Sequence, residues 1–144
     1  MTKLYIFIIL CLISCKEKVL IYPDYNSSPQ MVVKTISEAS KTKNLSVLKN
    51  LCGPKYLYDD YNSGLLSLCN LEDADWHTKE EFTDSQFSIL MNKEPIIIGD
   101  IAKIEVKIIN KSQTDIQIYF LKNLSDKWYL YHNEDSMKRA FPDY

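Results

Sequence analysis

The chain has 144 residues, 46% hydrophobic and 25% charged, with 17 Lys plus Arg against 19 Asp plus Glu. That length carries one globular core rather than two, and the composition excludes a disordered tail, a collagen-like chain and a long coiled coil. A formal charge of −2 offers no concentrated basic face for nucleic acid, and Gly53, Gly64 and Gly99 lie too far apart to cradle a phosphate.

The first element is apolar. Lys3 and the terminal amine precede an unbroken apolar run from Leu4 to Ile13. A helix that spans a bilayer needs about 20 such residues, so this run has the length of a secretory h-region instead. It ends Leu12-Ile13-Ser14-Cys15. That tetrad resembles the lipobox of bacterial lipoproteins: a branched aliphatic residue, a tolerant position, a small residue, then Cys. The resemblance implies a signal peptide over 1–14, cleavage between Ser14 and Cys15, and lipidation of Cys15 by diacylglycerol and a further acyl chain such as palmitate. Two or more chains hold a protein stably at a membrane without a spanning helix. Residues 15–28 then form the lipidated Cys and a tether, and 29–144 a single domain. The implied address is the bacterial cell envelope, and the implied partner is a membrane reached through the lipid anchor. Lipoproteins kept at the inner membrane often carry Asp where Lys16 stands, which points to the outer membrane, on its periplasmic or surface face.

The tether contains the apolar stretch Val19–Tyr22 and the turn formers Pro23-Asp24-Tyr25-Asn26-Ser27-Ser28. A helix is expected from near Ser28, with Pro29 in its first turn and Val32, Val33, Ile36 and Ala39 on one stripe. Asn44 suits the cap of a second helix carrying Leu45, Val47, Leu48 and Leu51, which Gly53-Pro54 stops. Leu65, Leu66, Leu68 and Leu71 suggest a further buried turn or helix. Thr78-Lys79-Glu80-Glu81 is a capping-box pattern and predicts a helix from about Lys79 to Met91, ended by Pro95.

Cys52 and Cys69 belong to the folded part. In an oxidising compartment they can bridge, closing a loop of roughly 15 residues at a gain of about 3 kcal/mol in the chain-entropy account. Two small buried hydrophobes explain the same pair. No Cys-x-x-Cys occurs, and His77 and His132 lie far from both, so no zinc site is expected.

From Ala102 the period changes to two. Ala102, Ile104, Val106 and Ile108 alternate with Lys103, Glu105 and Lys107. Asn110–Asp115 reads as a polar turn. Ile116, Ile118 and Phe120 are expected to face one way, Gln117 and Tyr119 the other. After a turn at Ser125-Asp126-Lys127, Trp128-Tyr129-Leu130-Tyr131 closes an antiparallel meander, with the even-numbered residues from Ile104 through Trp128 and Leu130 facing the helices. The fold class is therefore α+β, with N-terminal helices packed on a curved antiparallel β-meander. This order, with Lys122-Asn123-Leu124-Ser125-Asp126-Lys127-Trp128-Tyr129-Leu130 as a closing hairpin, resembles the cone-shaped fold of nuclear-transport-factor-like and cystatin-like domains. The resemblance implies helices lying in the concavity of the sheet.

Chemistry is sparse. Glu72-Asp73-Ala74-Asp75-Trp76-His77 fails as a calcium loop because His77 stands where the sixth-position Gly is needed. It reads as a solvated loop or, more sharply, as an acid–base pair. No Gly-x-Ser-x-Gly elbow is present. No catalytic residue, metal or cofactor is assigned. The aromatics are richer, with 10 Tyr. Tyr119, Tyr129 and Tyr131 have the parity of Lys103, Glu105, Lys107 and Gln117, so they are the candidate partner face away from the core, although ordinary cross-strand pairing explains them as well. Tyr56, Tyr58 and Tyr61 with Asp59 and Asp60 read as packed loop or binding loop. The expected function is a non-catalytic envelope module binding a protein or small molecule. The alternatives are an immunity or inhibitor lipoprotein that neutralises a toxin or hydrolase, and a cone-fold pocket enzyme.

Overall fold

A computed structural model describes residues 24–58, 65, 66, 69, 88–111 and 113–144. The Leu4–Ile13 run, the Ser14–Cys15 bond, Tyr61, the acidic stretch 72–77 and residues 79–87 of the expected helix lie outside these.

Helix α1 (Pro29–Lys41) begins where its caps dictate. The Ser28 hydroxyl accepts from the Met31 N–H, and Pro29 occupies the first position, where its missing N–H costs nothing. Val32, Val33, Ile36 and Ala39 are all buried, each larger one contributing about 1.5–3 kcal/mol. The helix ends in a Schellman motif. Asn44 N–H donates to the Ala39 carbonyl at 2.8 Å and Lys43 N–H to Ser40 at 3.1 Å, with Lys43 held at φ 55°. Asn44 then caps α2 (Leu45–Asn50), its side chain accepting from Val47 N–H. Gly53, at φ 59°, turns the chain out of that helix into a single 3₁₀ turn at Lys55–Leu57. None of the described helices is long and apolar enough to cross a membrane.

Among the described residues five antiparallel strands follow: β1 (Ser88–Met91), β2 (Ile96–Ile98), β3 (Ile101–Asn110), β4 (Gln113–Leu124) and β5 (Lys127–Tyr131). Their order is β1-β3-β4-β5, with β2 paired to the other end of β3. The chain is thus α+β, with α1 and α2 ahead of the sheet. A third helix, α3 (Glu134–Ala140), comes after it, with Asn133 as cap, acids in its first turn and Lys138 and Arg139 in its last.

Three expectations are corrected. The helix expected to reach Met91 gives way to β1, because Ile89 and Met91 pair with Ile108 and Val106 while Leu90 points the other way. The turn expected over Asn110–Asp115 is only two residues long, since Asn110 pairs with Gln113. That register also reverses β4. Directly paired residues share a face, and Ile104 pairs with Tyr119, Ala102 with Leu121, and Lys107 with Ile116. Tyr119 and Leu121 therefore sit on the core face with Ala102, Ile104, Val106, Trp128 and Leu130, whereas Ile116, Ile118 and Phe120 lie on the opposite, outer face. A loop of even length always brings residues of opposite parity together.

The last strand is sealed by backbone from the helical half. Trp128, Leu130 and His132 N–H groups donate at 2.8 Å to the carbonyls of Asn26, Leu51 and Leu57. On the outer face, the C-terminal segment covers one end: Phe141 and Tyr144 pack on Phe120 at ring distances of 5.5 and 4.6 Å, and Lys103 stands 5.9 Å from both of those rings.

Candidate functional site

Cys52 and Cys69 are joined by a disulfide, with Cα atoms 5.4 Å apart. The bridge ties the end of α2 to the segment carrying Leu65 and Leu66, both buried, and the Tyr58 hydroxyl donates to the Cys69 carbonyl at 3.4 Å. Burial pushes the Tyr58 hydroxyl above its ordinary value, with the Lys55 ammonium opposing the shift. Tyr58 is thus a packed residue, while Tyr56 is exposed. Burial also raises Tyr25, with help from the Tyr129 hydroxyl.

The three tyrosines expected to share a partner face do not. Tyr119 belongs to the core face, its hydroxyl donating to the Gln117 side chain. Tyr129 and Tyr131 do lie on the outer face, opposite Lys122 and Phe120, but Tyr131 is buried beneath a cation contact from Lys122 at 5.6 Å. Tyr129 is half-buried beside Gly53. None of them forms an open aromatic surface.

What the outer face does expose is aliphatic. Beyond Phe120 it is left open, and Ile118, Ile116 and Leu90 stand 39%, 49% and 48% exposed. Lys107 separates Leu90 from Ile116 across the row, and Glu105 lies beside Ile118. The Glu105 carboxylate is gripped by Lys93 Nζ at 2.9 Å and by the Asn92 amide. Those two hydrogen bonds, Lys93 first, hold it below the ordinary carboxylate range. Ile96 and Ile98 of β2, paired with Lys103 and Ile101, extend the exposed apolar surface along the neighbouring edge, whereas Ile97, paired with Ala102, points to the other side. A patch of this kind, with its one acid already paired, suits apolar contact with a partner rather than proton transfer. Among the described residues, no group of three His, Cys, Asp or Glu converges on a metal position.

No family model, curated protein or solved structure matches this chain. The isoleucines of β4 were hidden from the sequence by their spacing. Ile116, Ile118 and Phe120 alternate as core residues do, and only the even-length hairpin loop before them reveals that they point outward.

Proposed function

We propose that this chain is a lipid-anchored protein of the bacterial cell envelope whose domain is a non-catalytic binding module. One observation carries the reading: Leu12-Ile13-Ser14-Cys15 follows a charged start and an apolar run of secretory rather than spanning length. The Cys52–Cys69 bridge supports it, because disulfides persist in exported proteins and are rare in the reducing cytosol. The open aliphatic patch of the outer face supports the binding role.

In this reading Cys15 carries the acyl chains at the head of a tether over residues 15–28. The outer-face patch, led by Ile116 and Ile118, engages a partner held at the same membrane. Labelling with radioactive palmitate tests the anchor: wild type incorporates label and fractionates with membranes, and Cys15→Ala does neither. Equal labelling of both removes the anchor and the envelope address together.

A further inference from the structure

Strand β4 is longer than the strand beside it. β5 pairs with it only from Phe120 to Leu124, so the half from Gln113 to Ile118 has β3 on one side and, among the described residues, no strand on the other. The hairpin registers fix which peptide groups meet the open side. Asn110 pairs with Gln113 and Leu124 with Lys127, each across a two-residue turn. The pair flanking such a turn exchanges both its hydrogen bonds. Odd-numbered residues of β4 therefore bond to β3, and even-numbered ones point toward the β5 side. Trp128 and Leu130 agree with this, since their N–H groups donate away from β4. Thr114, Ile116 and Ile118 thus direct their N–H and C=O groups into the open edge.

Sheets ordinarily blunt such an edge with Pro, a bulge or inward charge. β4 has no Pro, its register with β3 runs unbroken over ten pairs, and the charge on its core side, Asp115, is held by the Gln117 amide. The edge at β2 is a contrast. It is three residues long, Pro95 precedes it, and only Ile97 points its peptide groups outward. The β4 edge is in addition flanked by Ile116 and Ile118, the exposed pair of the outer face.

We propose that this edge pairs antiparallel with the same edge of a second copy, about a two-fold axis through Ile116. In that register Ile116 faces its own counterpart, Thr114 faces Ile118, and three hydrogen-bonded pairs form. The edge is self-complementary. Asp115 lies on one side of the axis and Gln117 on the other, so each carboxylate meets an amide donor of the second copy and never the other carboxylate. The two groups already make this bond within one chain, Gln117 Nε2 donating to Asp115 Oδ2 at 2.8 Å. An interface that uses one patch twice is the closed arrangement typical of dimers. Like charges do not oppose it, because the two Lys107 side chains stand one strand further out on each side. Three strand spacings put them about 14 Å apart, beyond a Debye length at physiological salt. Pairing leaves the outer face open and joins the aliphatic patches of both copies into one surface. The inference does not depend on the lipid anchor.

The register makes the test specific. In the full chain, Ile116→Cys places two thiols at a paired position about 5.5 Å apart between Cα atoms, within disulfide reach. Thr114→Cys places them four residues out of step, about 14 Å apart. Mild oxidation is expected to convert Ile116→Cys, and the double variant Thr114→Cys/Ile118→Cys, to covalent dimer above the wild-type background, and to leave Thr114→Cys at background. Equal crosslinking of Thr114→Cys and Ile116→Cys, or none in either, overturns the proposal. Sedimentation equilibrium supplies the second arm. Ile116→Pro removes an outward N–H and no bond to β3, so it is expected to keep its far-UV circular dichroism and weaken dimerisation at least about tenfold. If Ile116→Pro does not fold, Ile118→Lys decides, and wild-type dimerisation in that variant overturns the proposal, as does a wild type that stays monomeric up to about 100 μM.

Discussion

Gly53→Ala is the most informative single substitution in the domain. Gly53 adopts φ 59°, a conformation that costs an alanine roughly 1 kcal/mol. A methyl group on its Cα also falls 2.9 Å from Cγ and Cδ1 of the Tyr129 ring and 3.0 Å from Cδ1 of Leu57. The ring has little freedom to retreat, because the backbone on both sides of Tyr129 is fixed: Trp128 N–H donates to Asn26 and Leu130 N–H to Leu51. Overpacking of this kind costs about 1–3 kcal/mol, so the expected total loss is about 2–4 kcal/mol, a large share of the stability of a small domain. Urea unfolding followed by far-UV circular dichroism, with the disulfide intact, measures it. The same substitution in a Tyr129→Ala background separates the two causes, since the backbone cost of roughly 1 kcal/mol and the milder Leu57 contact survive there while the clash with the ring is gone. A loss below about 0.5 kcal/mol in the wild-type background, or an identical loss in both backgrounds, refutes the steric argument.

Replacing both Cys52 and Cys69 by Ala removes a cross-link between residues 17 apart in sequence and is expected to cost about 3 kcal/mol, read from the same unfolding curves. Lys43→Gly relieves a left-handed backbone at the end of α1 and is expected to raise stability by about 0.5–1 kcal/mol, visible as an increase in Tm. Phe141→Ala strips the cover from Phe120 and is expected to cost about 3 kcal/mol and to raise binding of a hydrophobic dye. Glu105→Gln tests the Lys93–Glu105 pair by its pH dependence. The folded carboxyl titrates below its unfolded value, so its contribution is present above the ordinary carboxylate range and is lost as pH falls through the lowered folded value. The Tm difference between wild type and Glu105→Gln is therefore largest near pH 7 and vanishes in acid, and a difference independent of pH contradicts the pairing.

The helical half was legible because its signals are local. Ser28, Pro29 and Asn44 act within one turn of where they stand, and the caps that they form are the ones the sequence announces. α3 carries equally local marks, Asn133 before two acids and two bases after them, but in its seven residues Met137 is the one buried side chain, too little for a helical period to show. β1 and β2 were illegible for a different reason. Short apolar runs such as Ser88–Met91 and Ile96–Ile98 acquire a period only from the strand they pair with, and β3 decides it. The outward face of β4 belongs to the same class, since alternation fixes which residues share a side but leaves open which side that is. Hence the tyrosines looked available and the isoleucines did not, the reverse of what the sheet presents.

The seal along β5 has a consequence for how the domain is made. Synthesis delivers the carbonyls of Asn26, Leu51 and Leu57 well before the amides of Trp128, Leu130 and His132. Until that hairpin emerges, α1 has β1 to rest on, but the three carbonyls lack the donors that tie the helical half to the sheet edge. The seal therefore joins segments far apart in sequence, contacts of the kind that slow folding.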